Sequence, residues 1–130
     1  MKINTDKITY DYGKLISVYY HESVFDDSPN MLSAIQLKFE HGDVYHEAII
    51  DTDEISCNSD LIETYDLVIN KNDKEPWNSL IGNKPNWIWN LNNQQGYDDG
   101  IQYEFKTSQT DTHTFQLLVI GSEIKIKNNL

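Results

Sequence analysis

Apolar and polar side chains alternate along several short stretches of this chain, and this spacing of two constrains the fold more than any other feature. Residues 35–39 alternate in this way, which is typical of a strand with one buried face. A turn at 41–43 follows, and a partner strand begins at Val44. We therefore predict a β-hairpin over residues 33–50.

The C-terminal third shows the same alternation. It runs through 101–105, stops at a polar loop, and resumes at 115–120. Gly121 and Ser122 then suit a two-residue type II′ turn with glycine first, ahead of one last short strand. The pattern predicts a three-stranded antiparallel meander over residues 101–127.

The remaining elements are short. Residues 14–21 and 64–69 are rich in β-branched and aromatic side chains and are predicted to be strands. One or two helical turns are expected at 59–63, after a serine and an aspartate that can cap them, and another at 76–82, between a proline and a glycine. The fold class is therefore mainly β: one twisted antiparallel sheet of about six strands with one or two short helices, in a single domain of residues 1–130.

The charge of the chain limits its partners. There is no arginine, and ten lysines against 21 acidic residues give a net charge of −11. No lysine occurs from Phe39 to Asn70, a stretch that holds nine carboxylates. Such a field repels phosphates and attracts cationic surfaces, so it disfavours nucleic acid and favours a basic protein as the partner. Acidity that serves only solubility is the competing interpretation.

Aromatic residues are concentrated between residues 76 and 105, where all three tryptophans lie. In an extended chain Trp87 and Trp89 point to the same side. Burial is the commoner state of an indole and favours a core position for this pair. If they are exposed, they would be strong contact residues for a protein partner. Gly96 and Gly100 bracket a tight polar loop in which a positive φ is expected.

The same segment resembles a family of small bacterial domains of unknown function. The matching pattern is W-x-W/M-x-x-N-x-Q-G-Y-x-D-G-x-Q-x-E-F. The residues that carry it are Trp87, Asn92, Gln95, Gly96, Tyr97, Asp99, Gly100, Gln102, Glu104 and Phe105. In size and charge the chain is also similar to the immunity proteins of contact-dependent and polymorphic toxin systems. That likeness implies a small acidic cytoplasmic domain that binds and neutralises a cognate toxin.

Signs of catalysis or metal binding are sparse. Cys57 is the only cysteine, and its acidic surroundings are expected to raise its thiol pKa and oppose thiolate formation. Asp99 and Glu104 could form a glycosidase-like acid pair, although some such pair is expected by chance in an acidic chain. The acids and histidines lack the spacing of a metal site. We therefore predict no cofactor, no metal and no enzymatic activity.

These observations favour a non-enzymatic binding protein, specifically a cytoplasmic immunity protein that covers a cationic toxin, most plausibly a nuclease. The predicted partner-binding residues are Asp51, Asp53, Glu54, Trp87, Trp89, Tyr97, Asp98 and Asp99. A cytoplasmic, membrane-free protein is expected because the N-terminus lacks an apolar signal segment and the longest apolar run spans four residues. The alternative is a carbohydrate-binding module whose cleft is lined by Trp77, Trp87, Trp89 and Tyr97.

Overall fold

The computed structural model describes residues 1–128, which form two antiparallel sheets and two short helices around a shared core. The order of elements is α1 (Thr5–Asp11), β1 (Leu15–Ser23), β2 (Met31–Phe39), β3 (Gly42–Ile49), β4 (Glu54–Ile55), β5 (Leu67–Asn70), α2 (Trp77–Leu80), β6 (Pro85–Asn92), β7 (Asp98–Lys106), β8 (Thr112–Ile120) and β9 (Glu123–Lys127). The mainly β, antiparallel prediction is therefore confirmed.

The prediction of one sheet of about six strands is wrong. The first sheet has the order β4-β3-β2-β1-β5, and the second has the order β6-β7-β8-β9. Each sheet has one apolar face, represented by Leu37 in the first and by Phe115 in the second, and both residues are fully buried. Two half-apolar sheets bury these faces most completely by packing against each other.

Both predicted hairpin regions are present. Strands β2 and β3 pair antiparallel, and Phe39 pairs with Gly42, so the turn consists of Glu40 and His41, one residue earlier than predicted. Strands β7, β8 and β9 form the predicted meander. Gly121 has φ +60° and Ser122 has φ +68°, which identifies a type I′ turn in place of the predicted type II′.

The helical predictions are partly correct. The helix α2 lies inside the predicted 76–82 segment. Residues 59–63 are not helical, because the buried Glu47 side chain accepts hydrogen bonds from the backbone N–H groups of Ile62 and Glu63. The helix α1 was not predicted, although Asn4 caps its first turn by accepting from the N–H of Asp6 at 2.9 Å.

Candidate functional site

Two acidic segments that are distant in sequence meet at one end of the molecule. The turn before β4 supplies Asp51 and Asp53, and β4 itself begins with Glu54. The backbone N–H of Asp98, at the start of β7, donates to Oε2 of Glu54 at 3.1 Å. We call Asp51, Asp53, Glu54, Asp98 and Asp99 the acidic corner. The structure thus brings five of the eight predicted site residues together.

A third turn completes the acidic corner. Oδ1 of Asp53 accepts hydrogen bonds from the N–H and hydroxyl groups of Ser122, at 3.1 and 3.4 Å. Asp53 has φ +53°, a conformation that aspartate tolerates better than most residues. Tyr97 lies in the β6–β7 turn beside Asp98 and is 41% exposed. Among residues 1–128 the one ion pair joins Lys125 to Glu123, so no lysine lies within ion-pair distance of the acidic corner.

A cleft of about 660 Å³ opens beside the acidic corner. Its walls include Ile3 and Ile101, with the side chains of Glu54 and Asp98 also lining it. Cys57 lines the cleft as well, and burial raises the pKa of its thiol to about 11, while the nearby Lys2 ammonium acts in the opposite direction. The expected direction is confirmed, but its main cause is burial rather than acidic neighbours. A thiol held protonated in this way is a poor nucleophile.

A buried histidine fixes the position of β4. His46 lies on β3, and its Nδ1 is 2.8 Å from the carbonyl oxygen of Ser56. A carbonyl can only accept, so Nδ1 carries the proton and Nε2 accepts from the hydroxyl of Tyr103 on the opposite sheet. Burial lowers the pKa of His46 to about 4, which keeps the ring neutral. Because Ser56 directly follows β4, this contact supports the acidic corner.

Trp87 and Trp89 lie on the outer face of the second sheet, 62% and 41% exposed. Their ring centroids are 6.4 Å apart and the ring planes differ by 29°. The predicted same-side arrangement is confirmed, and the expectation of a core position is wrong. Ile88, between them, packs against the core instead. We call Trp87 and Trp89 the tryptophan pair.

The third tryptophan has a different environment. Trp77 is fully buried, and its indole N–H donates to the hydroxyl of Tyr20 at 2.7 Å. It therefore cannot line an open cleft together with the tryptophan pair. This corrects the four-residue carbohydrate site, which keeps at most Trp87, Trp89 and Tyr97.

The two glycines of the aromatic segment have different roles. Gly96 has φ +88°, as predicted for the hairpin loop. Gly100 lies within β7 and has no positive φ. A β-carbon there would be 2.5 Å from Cδ2 of Leu118 and 3.1 Å from Cδ1 of Leu91. Any larger residue at this position would therefore require the Leu118 side chain to move.

The acid pair considered for hydrolysis is not assembled. Asp99 and Glu104 are five residues apart on the same strand, β7, which separates them by roughly 15 Å. A glycosidase pair requires a separation of about 5–10 Å. Within residues 1–128, no group of three His, Cys, Asp or Glu side chains is close enough to hold a metal ion.

The longest helix in the described part of the chain, α1, has seven residues, and none there is long and apolar enough to cross a membrane. DUF6334, a family of unknown function, matches residues 1–129. The chain belongs to DUF6334. No curated protein and no solved structure matches it. Membership of DUF6334 therefore assigns no activity, and the function has to be inferred from the surface just described.

Sequence reasoning missed Glu47, His46 and Tyr103, which hold the site in place. All three are fully or almost fully buried. The only sequence signal was a polar residue within an apolar strand: His46 lies between Val44 and Ala48 on the inward face of β3. Such residues need partners from distant segments, and the alternation pattern cannot name those partners.

Proposed function

We propose that this protein is a non-enzymatic binding protein that covers a cationic surface of another protein with its acidic corner. Its specific form would be a cytoplasmic immunity protein that neutralises a basic toxin, most plausibly a nuclease. A nuclease needs positive charge around its active site to hold phosphates, and an anionic inhibitor meets that charge directly.

The observation that supports this proposal most strongly is the contact between Asp98 and Glu54, at 3.1 Å. It joins two acidic segments separated by 44 residues and concentrates carboxylates that have no lysine partner within residues 1–128. The tryptophan pair and Tyr97 lie on the same hairpin as Asp98 and offer exposed aromatic area. Charge accelerates encounter, whereas buried aromatic area slows dissociation.

The test compares two triple variants that remove equal charge. One is Glu54→Gln/Asp98→Asn/Asp99→Asn in the acidic corner. The control is Asp26→Asn/Asp27→Asn/Glu63→Gln, which neutralises three exposed acids elsewhere. The partner is captured from lysate on the wild-type protein, and its association rate is measured over a range of salt concentrations. We expect the corner variant to slow association about tenfold at low salt and the control to slow it far less.

Raising ionic strength should remove most of the difference between wild type and corner variant, because salt screens exposed charges beyond about 10 Å. Equal slowing by both variants would show that only net charge matters. A wild-type rate that does not change with salt would contradict the electrostatic part of the proposal.

A second candidate function is binding of a neutral carbohydrate on the outer face of the second sheet. The exposed tryptophan pair supports it, as does an amide pair beside it, in which Nε2 of Gln116 donates to Oε1 of Gln102 at 2.7 Å. Trp89 pairs with Gln102 across β6 and β7. Aromatic rings next to amides are common in ligand sites, where a few polar groups fix the orientation of the ligand.

Indole fluorescence distinguishes this candidate. An oligosaccharide that binds should change the emission of the wild-type protein but not that of a Trp87→Ala/Trp89→Ala variant, which retains buried Trp77. If no oligosaccharide in a broad panel changes the wild-type emission, the carbohydrate function is rejected.

A further inference from the structure

Strand β6 forms an open edge of the second sheet. It pairs with β7 on one side, and no strand pairs with its other side within residues 1–128. The strand is eight residues long, which exceeds the usual length of five to six residues. Unprotected edges of this length pair readily with another extended chain.

The direction of the free backbone groups follows from the hairpin. The N–H of Asn93 donates to the carbonyl of Tyr97 at 2.9 Å, where β6 and β7 meet. Hydrogen-bonded positions alternate along an antiparallel pair, and the nearby bulge places its extra residue on β7. The N–H and C=O groups of Ile88 and Asn90 therefore face away from β7. Outside the strand ladders of residues 1–128, no backbone hydrogen bond reaches these groups.

This edge has only part of the usual protection. Natural edge strands carry charges or proline, contain a bulge, or are covered by a helix or loop. In β6 a bulge lies between Pro85 and Trp87, and α1 packs beside the first half of the strand. Residues 85–97 carry no charged side chain at all, in a chain of net charge −11. The single proline, Pro85, is the first residue of the strand. An incoming strand therefore meets no charge along β6 itself.

A groove runs beside the first half of β6. The helix α1 lies across from it, and the two elements enclose a groove of about 200 Å³ lined by Thr9 and Tyr10 on one side and by Trp87 and Ile88 on the other. Within residues 1–128, no hydrogen bond joins α1 to β6. A groove between a helix and a free strand edge is the geometry that strand-adding peptide domains use.

The charges at the two ends of β6 select the occupant. Its C-terminal end leads through an uncharged turn to Asp98 and to Glu54, which is hydrogen-bonded to it. At the other end the charges are mixed, because the exposed Lys84 directly precedes β6 and Asp6 of α1 lines the groove. An antiparallel added strand would place its own N-terminal residues beside the acidic corner. Charge complementarity therefore favours a segment with lysine or arginine at its N-terminal end.

We propose that β6 is a strand-addition edge, which binds an extended, basic segment of a partner protein antiparallel to itself, in the groove beside α1. This inference rests on the proposed function for the charge of the partner. The hydrogen bonds to Ile88 and Asn90 would set the register of the added strand. Attraction between its basic N-terminal end and the acidic corner would set its direction.

The probe is a synthetic peptide, Lys-Lys-Thr-Val-Thr-Val-Thr-Val-Gly. Two matched peptides serve as controls: one is N-methylated at alternate residues, which removes the donors of one edge, and the other has Glu in place of both Lys. Binding is followed by tryptophan fluorescence and by hydrogen exchange of the backbone amides of β6. We expect at least tenfold weaker binding of both control peptides. The amides of Ile88 and Asn90 should be protected only by the first peptide.

Two variants test separately the backbone pairing at the edge of β6 and the attraction of the peptide to the acidic corner. Asn90→Pro removes an N–H that faces away from β7, and proline is tolerated on edge strands, so the sheet should survive while peptide binding falls at least tenfold. If this variant fails to fold, the N-methylated peptide still tests the edge on the wild-type protein. Asp98→Asn should weaken the lysine peptide but leave the amide protection pattern unchanged.

Several results would overturn the inference. Wild-type protein that binds no peptide at millimolar concentration, or that binds the N-methylated peptide equally well, excludes strand addition. Sedimentation that shows a wild-type dimer, dissociated by Asn90→Pro, assigns the edge to a second copy of this chain. If strand addition fails while the captured partner still associates in a salt-dependent way through the acidic corner, the proposed function stands without this mode of docking.

Discussion

The outer faces of the two sheets differ in whether another segment of the chain covers them. On the first sheet, residues 59–66 cross the outer face, where Glu47 is 1% exposed. Its carboxylate accepts from the N–H groups of Ile62 and Glu63 and from the hydroxyl of Tyr65, at 2.7, 3.1 and 2.7 Å. We call this the covered face. The outer face of the second sheet is the bare face, because no segment within residues 1–128 covers the tryptophan pair.

This difference separates the parts that stabilise the fold from the parts available for binding. Every buried side-chain nitrogen and oxygen within residues 1–128 has a hydrogen-bond partner, and the covered face shows how a network achieves this: His21 bonds to Gln36, and Gln36 donates to Asp43. A fully bonded network resists change, because each member lost leaves another unpaired. The bare face instead retains apolar area that folding did not use.

The largest expected effect tests the covered face. Glu47→Ala should lower the free energy of unfolding by about 3 kcal/mol, because three donors lose their acceptor in a buried site. Glu104→Ala is the matched control: this glutamate lies on the outer face of β7, opposite Trp87, and its loss should cost no more than about 0.5 kcal/mol. Denaturant unfolding measures both. If the two variants lose similar amounts of unfolding free energy, the covered face contributes no more to stability than the bare face does.

The next effect concerns the contact that joins the sheets, and it depends on pH. Burial lowers the pKa of His46 from 6.5 to about 4, so the unfolded chain binds a proton more readily than the folded protein. The contribution of neutral His46 to the free energy of unfolding is therefore fully present above about pH 6.5. It is lost as the pH falls to 4, and the total loss is about 3 kcal/mol. Unfolding measured from pH 7 to pH 4 should show this loss.

Two variants isolate the contribution of His46. His46→Gln should be less stable at pH 7 and should show a flatter decline on acidification, because the titrating group is absent. His41→Gln, at the exposed β2–β3 turn, should keep the wild-type decline. An unchanged slope in His46→Gln would mean that carboxylate protonation, not this histidine, sets the acid limit.

Much of the strand pattern was predictable, because alternation is a local property. Residues 35–39 and 101–105 follow their predicted faces, since one side of each strand is consistently apolar. Alternation does not say which strands share a sheet, so two sheets were not distinguished from one. The short β4 has two residues and is held by His46 and Ser56, a contact that no local pattern encodes.

The residues of the acidic corner could be picked out from the sequence, but their arrangement in space could not. The acids were visible by composition, whereas the approach of Glu54 to Asp98 depends on how the sheets pack. The exposure of the tryptophan pair was not predictable for a different reason. In Trp87-Ile88-Trp89 both faces of the strand are apolar, so the pattern does not tell which face is buried. The structure partly buries Ile88, the smaller side chain, against the core and leaves the larger indoles outside.

The smallest expected effect on stability concerns the tryptophan pair itself. Trp87→Ser and Trp89→Ser should each change the free energy of unfolding by less than about 1 kcal/mol, because both side chains lie on an exposed face outside the core. Trp77→Phe, at a buried site where the indole donates to Tyr20, should cost more than either. Denaturant unfolding of the three variants measures the order. A large loss at Trp87 or Trp89 would show that the bare face contributes to folding, and the case for it as a binding surface would then lose its main support.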